Sequence, residues 1–220
     1  MSIRYVLFDL DDTLVQTESY LPSFVQSLSD YDFKQELVLT QWLGNTGLPL
    51  AQHYAQLFDC ELFDERVTCA SEKFWQLAQH AEFTILPGAD QAVRNLHAQG
   101  YQRLLSTGSN PQRVDKVLDE AGWSDLFVLP QGTTDDNPKG SAHYQKIYHY
   151  FDLTPEQFSY QAVSVGDGRY DISYAKAHGA YAIAYTPQGT TKEQRMELWD
   201  LGADQFFNDL RDLPDIISQI

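Results

Sequence analysis

The chain has 220 residues, 43% hydrophobic and 13% aromatic, enough for a sizeable packed core and too many for an intrinsically disordered protein. Its 31 Asp and Glu against 15 Lys and Arg leave a net charge of −16, which argues against non-specific binding to nucleic acid or to an anionic membrane, since both need clustered basic residues. An anionic substrate must therefore find local positive charge in a metal ion or in one particular lysine. The start Met1-Ser2-Ile3-Arg4 leads directly toward Tyr5-Val6-Leu7-Phe8, a run that reads as a buried strand, with no apolar signal-peptide core ahead of it. No apolar stretch approaches the ~20 residues that span a bilayer, so a cytoplasmic protein is expected.

The strand ends in Asp9-Leu10-Asp11-Asp12-Thr13. From about Tyr20 to Phe83 the texture is helical: Leu21, Phe24, Val25 and Leu28 form one amphipathic stripe, Leu50, Tyr54 and Leu57 a second, and Val67, Ala70, Phe74 and Leu77 a third. Beyond Leu86-Pro87-Gly88 strands alternate with helices. Val93 and Leu96 mark a helix closed by Gly100, and Tyr101–Thr107 follows as a strand. Asn110-Pro111 opens a helix, with a capping side chain followed by a residue that needs no donor, and Val114, Val117, Leu118 and Ala121 carry it to Gly122. Tyr144, Ile147, Tyr148 and Phe151 mark the next helix, Gln161–Val165 a strand ending at Gly166-Asp167, and Ile172 and Ala175 a helix stopped by Gly179. Tyr181–Tyr185 and Asp204–Phe207 are short strands, each followed by a helical segment. This alternation predicts an α/β fold, a doubly wound parallel sheet covered on both faces, from residues 1–17 and 84–220, with the all-helical block 18–83 inserted between its first two strands. Cys60 and Cys69 make neither a disulfide framework nor a CxxC site and are expected to pack in the core; the four tryptophans are likewise assigned to packing.

In open α/β sheets the site lies outside the carboxyl ends of the strands. The first strand delivers Asp9 and Asp11, which two-residue spacing on an extended strand would put on one face. The strand ending at Leu105 delivers Ser106, Thr107 and Gly108, and the strand ending at Val165 delivers Asp167 and, four residues on, Asp171. Asn137-Pro138-Lys139-Gly140 sets a lysine just before a helix. Crowded carboxylates raise one another's pKa, a penalty that an oxygen-bound hard cation such as Mg²⁺ removes. With acids, a hydroxyl and a lysine at one edge, a carboxylate can attack phosphorus while a second carboxylic acid protonates the leaving alkoxide and later deprotonates water.

On these motifs the chain resembles the haloacid dehalogenase-like phosphatase superfamily over nearly its full length. Asp9-Leu10-Asp11-Asp12-Thr13 matches DxDxT, which implies Asp9 as nucleophile and Asp11 as general acid/base. Thr107 matches the hydroxyl of the second motif, with Ser106 the alternative; Lys139 matches the third-motif lysine, and Gly166-Asp167-Gly168-Arg169-Tyr170-Asp171 matches GDxxxD. The resemblance implies Mg²⁺ held by the Asp9 carboxylate, the Asp11 backbone carbonyl and the Asp167 carboxylate, phosphate held by Thr107, Gly108 and Lys139, and Asp171 orienting the metal shell or Lys139. The insertion resembles the cap of the branch containing phosphoglycolate phosphatase and β-phosphoglucomutase, a Rossmann-like core with a helical lid. Asp12 stands where many relatives have Gly, Gly168 where many have Ser, and Gly140-Ser141 follows Lys139 where Pro is frequent.

Plainer readings compete at some positions. Asp171 also reads as a plain helix cap, Thr13 as a residue that only fixes a turn, and Arg169 and Tyr170 as surface residues. Thr46-Gly47-Leu48-Pro49 with His53 reads as a lid loop or as a plain connection between helices, and Asp135-Asp136 as a hydrophilic turn. The expected function is a Mg²⁺-dependent phosphomonoester hydrolase, monomeric or homodimeric, acting on a small phosphorylated metabolite. Its alternatives are a phosphomutase of the same fold and a non-enzymatic binding module. Asp11 argues against a 2-haloacid dehalogenase, and the absence of GxxxxGK[ST] and GxGxxG argues against a P-loop or dinucleotide-binding enzyme.

Overall fold

The computed structural model describes residues 3–16, 20–45, 48–78, 81–134 and 136–220. The chain divides into two compact units, Met1–Val15 with Ile85–Ile220, and Gln16–Thr84. The expected strand β1 is Tyr5–Phe8, every residue buried. β2 (Val15–Gln16) and β3 (Thr84–Ile85) pair as a separate two-stranded ladder where the chain leaves and re-enters the larger unit. The Gln16–Thr84 unit contains α1 (Leu21–Ser27), α2 (Gln35–Gly44), α3 (Leu50–Phe58) and α4 (Glu65–Ala78). Its interior joins Tyr20, Phe24, Leu28, Tyr54, Val67, Ala70 and Phe74. These include most of the residues that carry the three helical stripes. His53 is buried there, its ring 5.7 Å from that of Phe24 and 5.4 Å from that of Trp42. Its surroundings are those of a packing residue rather than of a residue on a lid loop. Thr46 and Gly47 of the suggested loop lie outside the described residues.

The larger unit continues with α5 (Ala89–Ala98), β4 (Gln102–Ser106), α6 (Pro111–Glu120), β5 (Leu129–Gln131), α7 (Ser141–Phe151), α8 (Pro155–Ser159), β6 (Ala162–Gly166), α9 (Arg169–Ala177), β7 (Tyr181–Tyr185), α10 (Lys192–Asp200), β8 (Gln205–Phe207) and α11 (Leu213–Ser218). Among the described residues six strands form one sheet in the order β5-β4-β1-β6-β7-β8. Each neighbouring pair is parallel. The order reverses direction at β1, which is where a doubly wound sheet opens a crevice at its strand tips. Tyr5 and Leu7 of β1 pack with Tyr144, Ile147, Tyr148, Phe158 and Ile172 on one face. Phe8 turns to the other and meets Phe127 edge-on at 6.1 Å. This is the expected Rossmann-like architecture.

Cys60 and Cys69 are free, as the lack of a disulfide pattern implies, but they do not pack in the core: Cys60 is half-buried and Cys69 exposed. Cys60 packs against the helical unit's apolar cluster from its margin. Trp123 is fully buried, whereas Trp199 is 66% exposed and stacks on Phe206. No helix among the described residues is long and apolar enough to cross a membrane.

Candidate active site

β1, β4 and β6 lie side by side, with Phe8 level with Leu105 and Val165, so the residues that leave these strands emerge together. Asp9 is held in place by its backbone N–H, which donates to the Val165 carbonyl at 2.9 Å. The chain then turns through Asp12, whose φ of +61° is left-handed. Glycine adopts that conformation without strain, and Asp is among the few side chains that tolerate it. Asp9 and Asp11 each find a different set of partners.

Asp9 is bound to Lys139, whose Nζ lies 2.7 Å from Asp9 Oδ1 and 2.7 Å from Asp171 Oδ1. All three side chains are about nine-tenths or more buried, Lys139 being 6% exposed. Asp171 serves both roles weighed from the sequence. One oxygen meets Lys139, and the other accepts the Gly168 N–H at 3.1 Å, capping α9. Thr13 does more than fix a turn. Its fully buried hydroxyl accepts the Asp167 N–H at 3.1 Å and lies 3.1 Å from Asp167 Oδ1 and 3.4 Å from Asp9 Oδ2.

Asp9, Asp167 and Asp171 each place a carboxylate oxygen within 4.8 Å of the others. Burial, together with the neighbouring Asp171 and Asp11, pushes the Asp9 carboxyl up to about 8 despite Lys139. Burial and the charges of Asp9, Asp171 and Asp12 push Asp167 well above the usual carboxylate range. Burial alone would lower Lys139, but Asp171 and Asp9 outweigh it and the lysine is held charged. One ammonium thus pairs with two buried acids, beside the half-buried Asp167. The residual negative charge and the all-oxygen donor set suit a hard divalent cation, which prefers carboxylate and carbonyl ligands.

Asp11 turns toward the β4–α6 connection. Its Oδ2 accepts from Thr107 Oγ1 at 3.0 Å and Ser109 Oγ at 2.5 Å, and its Oδ1 lies 3.5 Å from Arg113 Nη2. Ser106 points elsewhere: its hydroxyl is 2.8 Å from His143 Nδ1. His143 Nε2 lies 3.1 Å from the Asn137 carbonyl, which can only accept, so Nε2 carries the ring proton and Nδ1 accepts from Ser106. Burial keeps this imidazole neutral by lowering it to about 4. Of the two candidate hydroxyls, Thr107 is therefore the one that faces the acids. Thr133 ties the segments together, donating to the Thr107 carbonyl and accepting the Lys139 N–H, both at 3.0 Å.

Ser109, Arg113, Thr133 and His143 were not singled out in the sequence, where each reads as an ordinary loop or helix residue. Gly108 follows Thr107 at the β4 tip. Arg169 is exposed and pairs with Glu197 at 3.2 Å. Asp136 is exposed in a bend, and Asp135 lies outside the described residues.

The model of a protein family described as haloacid dehalogenase-like hydrolase matches residues 3–179. A pyrophosphatase PpaX from Bacillus mycoides is 28% identical over 231 aligned positions, covering 100% of this chain and 99% of that protein. A phosphoglycolate phosphatase from Pseudomonas fluorescens is 29% identical over 189, covering 82% and 68% respectively. Among solved structures, a predicted phosphatase from Clostridium acetobutylicum superposes with a TM-score of 0.85 at 20% identity over the full length of both chains, a likeness of fold.

Proposed function

The chain belongs to the haloacid dehalogenase-like hydrolases and is a phosphatase of that family, and on this premise we propose that it hydrolyses a small phosphomonoester through an aspartyl-phosphate on Asp9. The observation that carries the reading is the buried lysine shared at 2.7 Å by Asp9 and Asp171, with an oxygen of Asp167 in the same cluster. The Asp9 carboxylate attacks phosphorus as the ester P–O bond breaks. Asp11 gives a proton to the departing alkoxide, then takes one from the water that hydrolyses the acyl phosphate. Lys139, the Thr107 hydroxyl and the Gly108 backbone N–H hold the phosphoryl oxygens, and Asp171 keeps Lys139 in place. The Asp9 and Asp167 carboxylates with the Asp11 backbone carbonyl would hold Mg²⁺. When bound, the ion shields the charge spread over the phosphoryl oxygens. The helical unit, inserted between β1 and β4, is proposed as the cap. Crystals with and without ligand that keep it in one orientation would count against a moving lid.

Turnover of p-nitrophenyl phosphate in Mg²⁺, lost in EDTA and restored by excess metal, is the expected outcome. Asp9→Asn should cut it by at least about ten-thousandfold with the circular dichroism unchanged, since a lost nucleophile has no substitute. Retained turnover would refute Asp9 as the nucleophile. A screen of phosphoglycolate, sugar phosphates, nucleoside monophosphates and, given the pyrophosphatase relative, inorganic pyrophosphate ranks the substrate by kcat/KM.

A further inference from the structure

Arg113 sits in the first turn of α6, where its backbone N–H is capped by the Asn110 side chain at 2.9 Å. The side chain is only 4% exposed, and its Nη2 lies 3.5 Å from Asp11 Oδ1. A charged guanidinium is rarely buried without a partner, because desolvation costs it several kcal/mol. Asp11 is an acid within reach of it. The other oxygen of Asp11 is occupied by Thr107 and Ser109. Among the described residues, the side-chain donors to this carboxylate thus come from one short segment, Thr107 to Arg113, bounded by a strand tip and a helix start.

We infer that Arg113 is a positioning residue for Asp11, fixing where the acid points and which of its oxygens carries the transferred proton. The inference rests on the phosphatase reading and extends it to a residue outside the family-like motifs. Arginine only donates, whereas the hydroxyls of Thr107 and Ser109 both donate and accept. The oxygen facing Arg113, Oδ1, is therefore the one that meets only a donor. When Asp11 carries the proton to be transferred, Oδ2 is the oxygen placed to hold it, because either hydroxyl there can reverse its bond. In the first step that proton passes from Oδ2 to the ester oxygen as the P–O bond breaks and the bond from Asp9 to phosphorus forms. Without Arg113 the carboxyl is free to rotate and present either oxygen, and the acid is misaligned for part of its time.

The test uses leaving groups. kcat/KM reports events up to transfer of the phosphoryl group, where p-nitrophenolate departs unaided and an alkoxide needs a proton. Arg113→Met should lower kcat/KM for glycerol 2-phosphate roughly tenfold more than for p-nitrophenyl phosphate, a fraction of the about 10²–10⁴ that general acid catalysis contributes. Arg113→Lys should recover part of that difference, and Ser109→Ala should shift it the same way by less. Asp11→Asn, measured beside them, must show the same selectivity more strongly. If it does while Arg113→Met lowers both substrates equally or neither, the inference is overturned. If Asp11→Asn is itself unselective, the acid/base role of Asp11 has failed instead. Should Arg113→Met not fold, Arg113→Lys decides: selective loss on the alkyl phosphate supports the inference and equal loss overturns it.

Discussion

Beneath the strand tips of the sheet unit the buried side chains are ions and hydroxyls, Asp9, Lys139, Asp171, Thr13 and Thr107, each bonded to another of the set or to a neighbouring acid. In the helical unit the corresponding depth is filled by rings: Phe24 stacks on Tyr54 at 5.1 Å and meets Trp42 at 4.6 Å, while Trp42 approaches Phe74 at 6.3 Å. A polar network is all-or-none, because removing one member leaves the others desolvated and unpaired. A ring cluster loses stability in proportion to the volume removed. One interior is specified for chemistry, the other for shape.

Removing the hub of each interior is the severest test of that contrast. Lys139→Met should reduce turnover by at least about a hundredfold and, in EDTA, cost about 3–5 kcal/mol, because Asp9 and Asp171 are left without their cation. Added Mg²⁺ should restore part of the stability. Phe24→Ala should cost a similar 3–5 kcal/mol through its cavity. It should do so without any rescue by Mg²⁺. Hydrogen exchange resolves the two: the first variant should loosen β1, β6 and α9, the second α1, α3 and α4. Equal Mg²⁺ rescue of both variants would remove the distinction between the interiors.

The buried histidines provide a pH test, one in each unit. Burial lowers both His53 and His143 to about 4 from an ordinary 6.5. A histidine lowered on folding is neutral in the native state while the unfolded chain takes up its proton. Each therefore contributes fully above the unfolded value, loses that contribution as pH falls from about 6.5 to about 4, and changes little below. The loss approaches about 3 kcal/mol per site. His143 has partners on both nitrogens, whereas His53 Nδ1 has none among the described residues. His53→Phe should flatten the acid loss at a cost of about 1 kcal/mol near pH 7.5, through the loss of the ring's hydrogen bonding with the Gln41 and Leu48 backbone. His143→Phe should flatten it too, but cost about 1–3 kcal/mol there by stranding Ser106 and the Asn137 carbonyl. Thermal unfolding from pH 7.5 to 4.5 checks this, and parent-like slopes in both variants would contradict it.

The same division explains what was legible in the sequence. β1, β4, β6 and the acids and lysine at their edge stood out because buried parallel strands are continuous apolar runs and the reactive residues follow directly. β5 did not, since Pro130 sits within a three-residue strand; as the sheet's edge, it can spare the donor that proline lacks. Nor did α2, where Leu37 and Leu43 are 50% and 63% exposed and only Val38 is buried, leaving no stripe to read. Ser109 and Arg113 were silent because their meaning lies in Asp11, about a hundred positions away in the chain. Linear spacing carries no trace of that approach.

The smallest effects come from one substitution made in both units. Gly166 ends β6, and a Cβ built there would lie 2.4 Å from Cβ and Cγ of Asp171. The glycine is needed for closeness: it lets the strand tip touch the carboxylate that holds Lys139. Gly166→Ala must push Asp171 aside, so it should cost about 1–3 kcal/mol and lower turnover by weakening the Asp171–Lys139 pair. Gly44, the last residue of α2, has no described atom within 4 Å of such a Cβ. There alanine only narrows the unfolded ensemble, and Gly44→Ala should be neutral or gain up to about 1 kcal/mol with turnover unchanged. Opposite signs for the two variants are the expected result. A Gly166→Ala protein as stable and active as its parent would mean that the contact between the strand tip and Asp171 does not hold Lys139 in place.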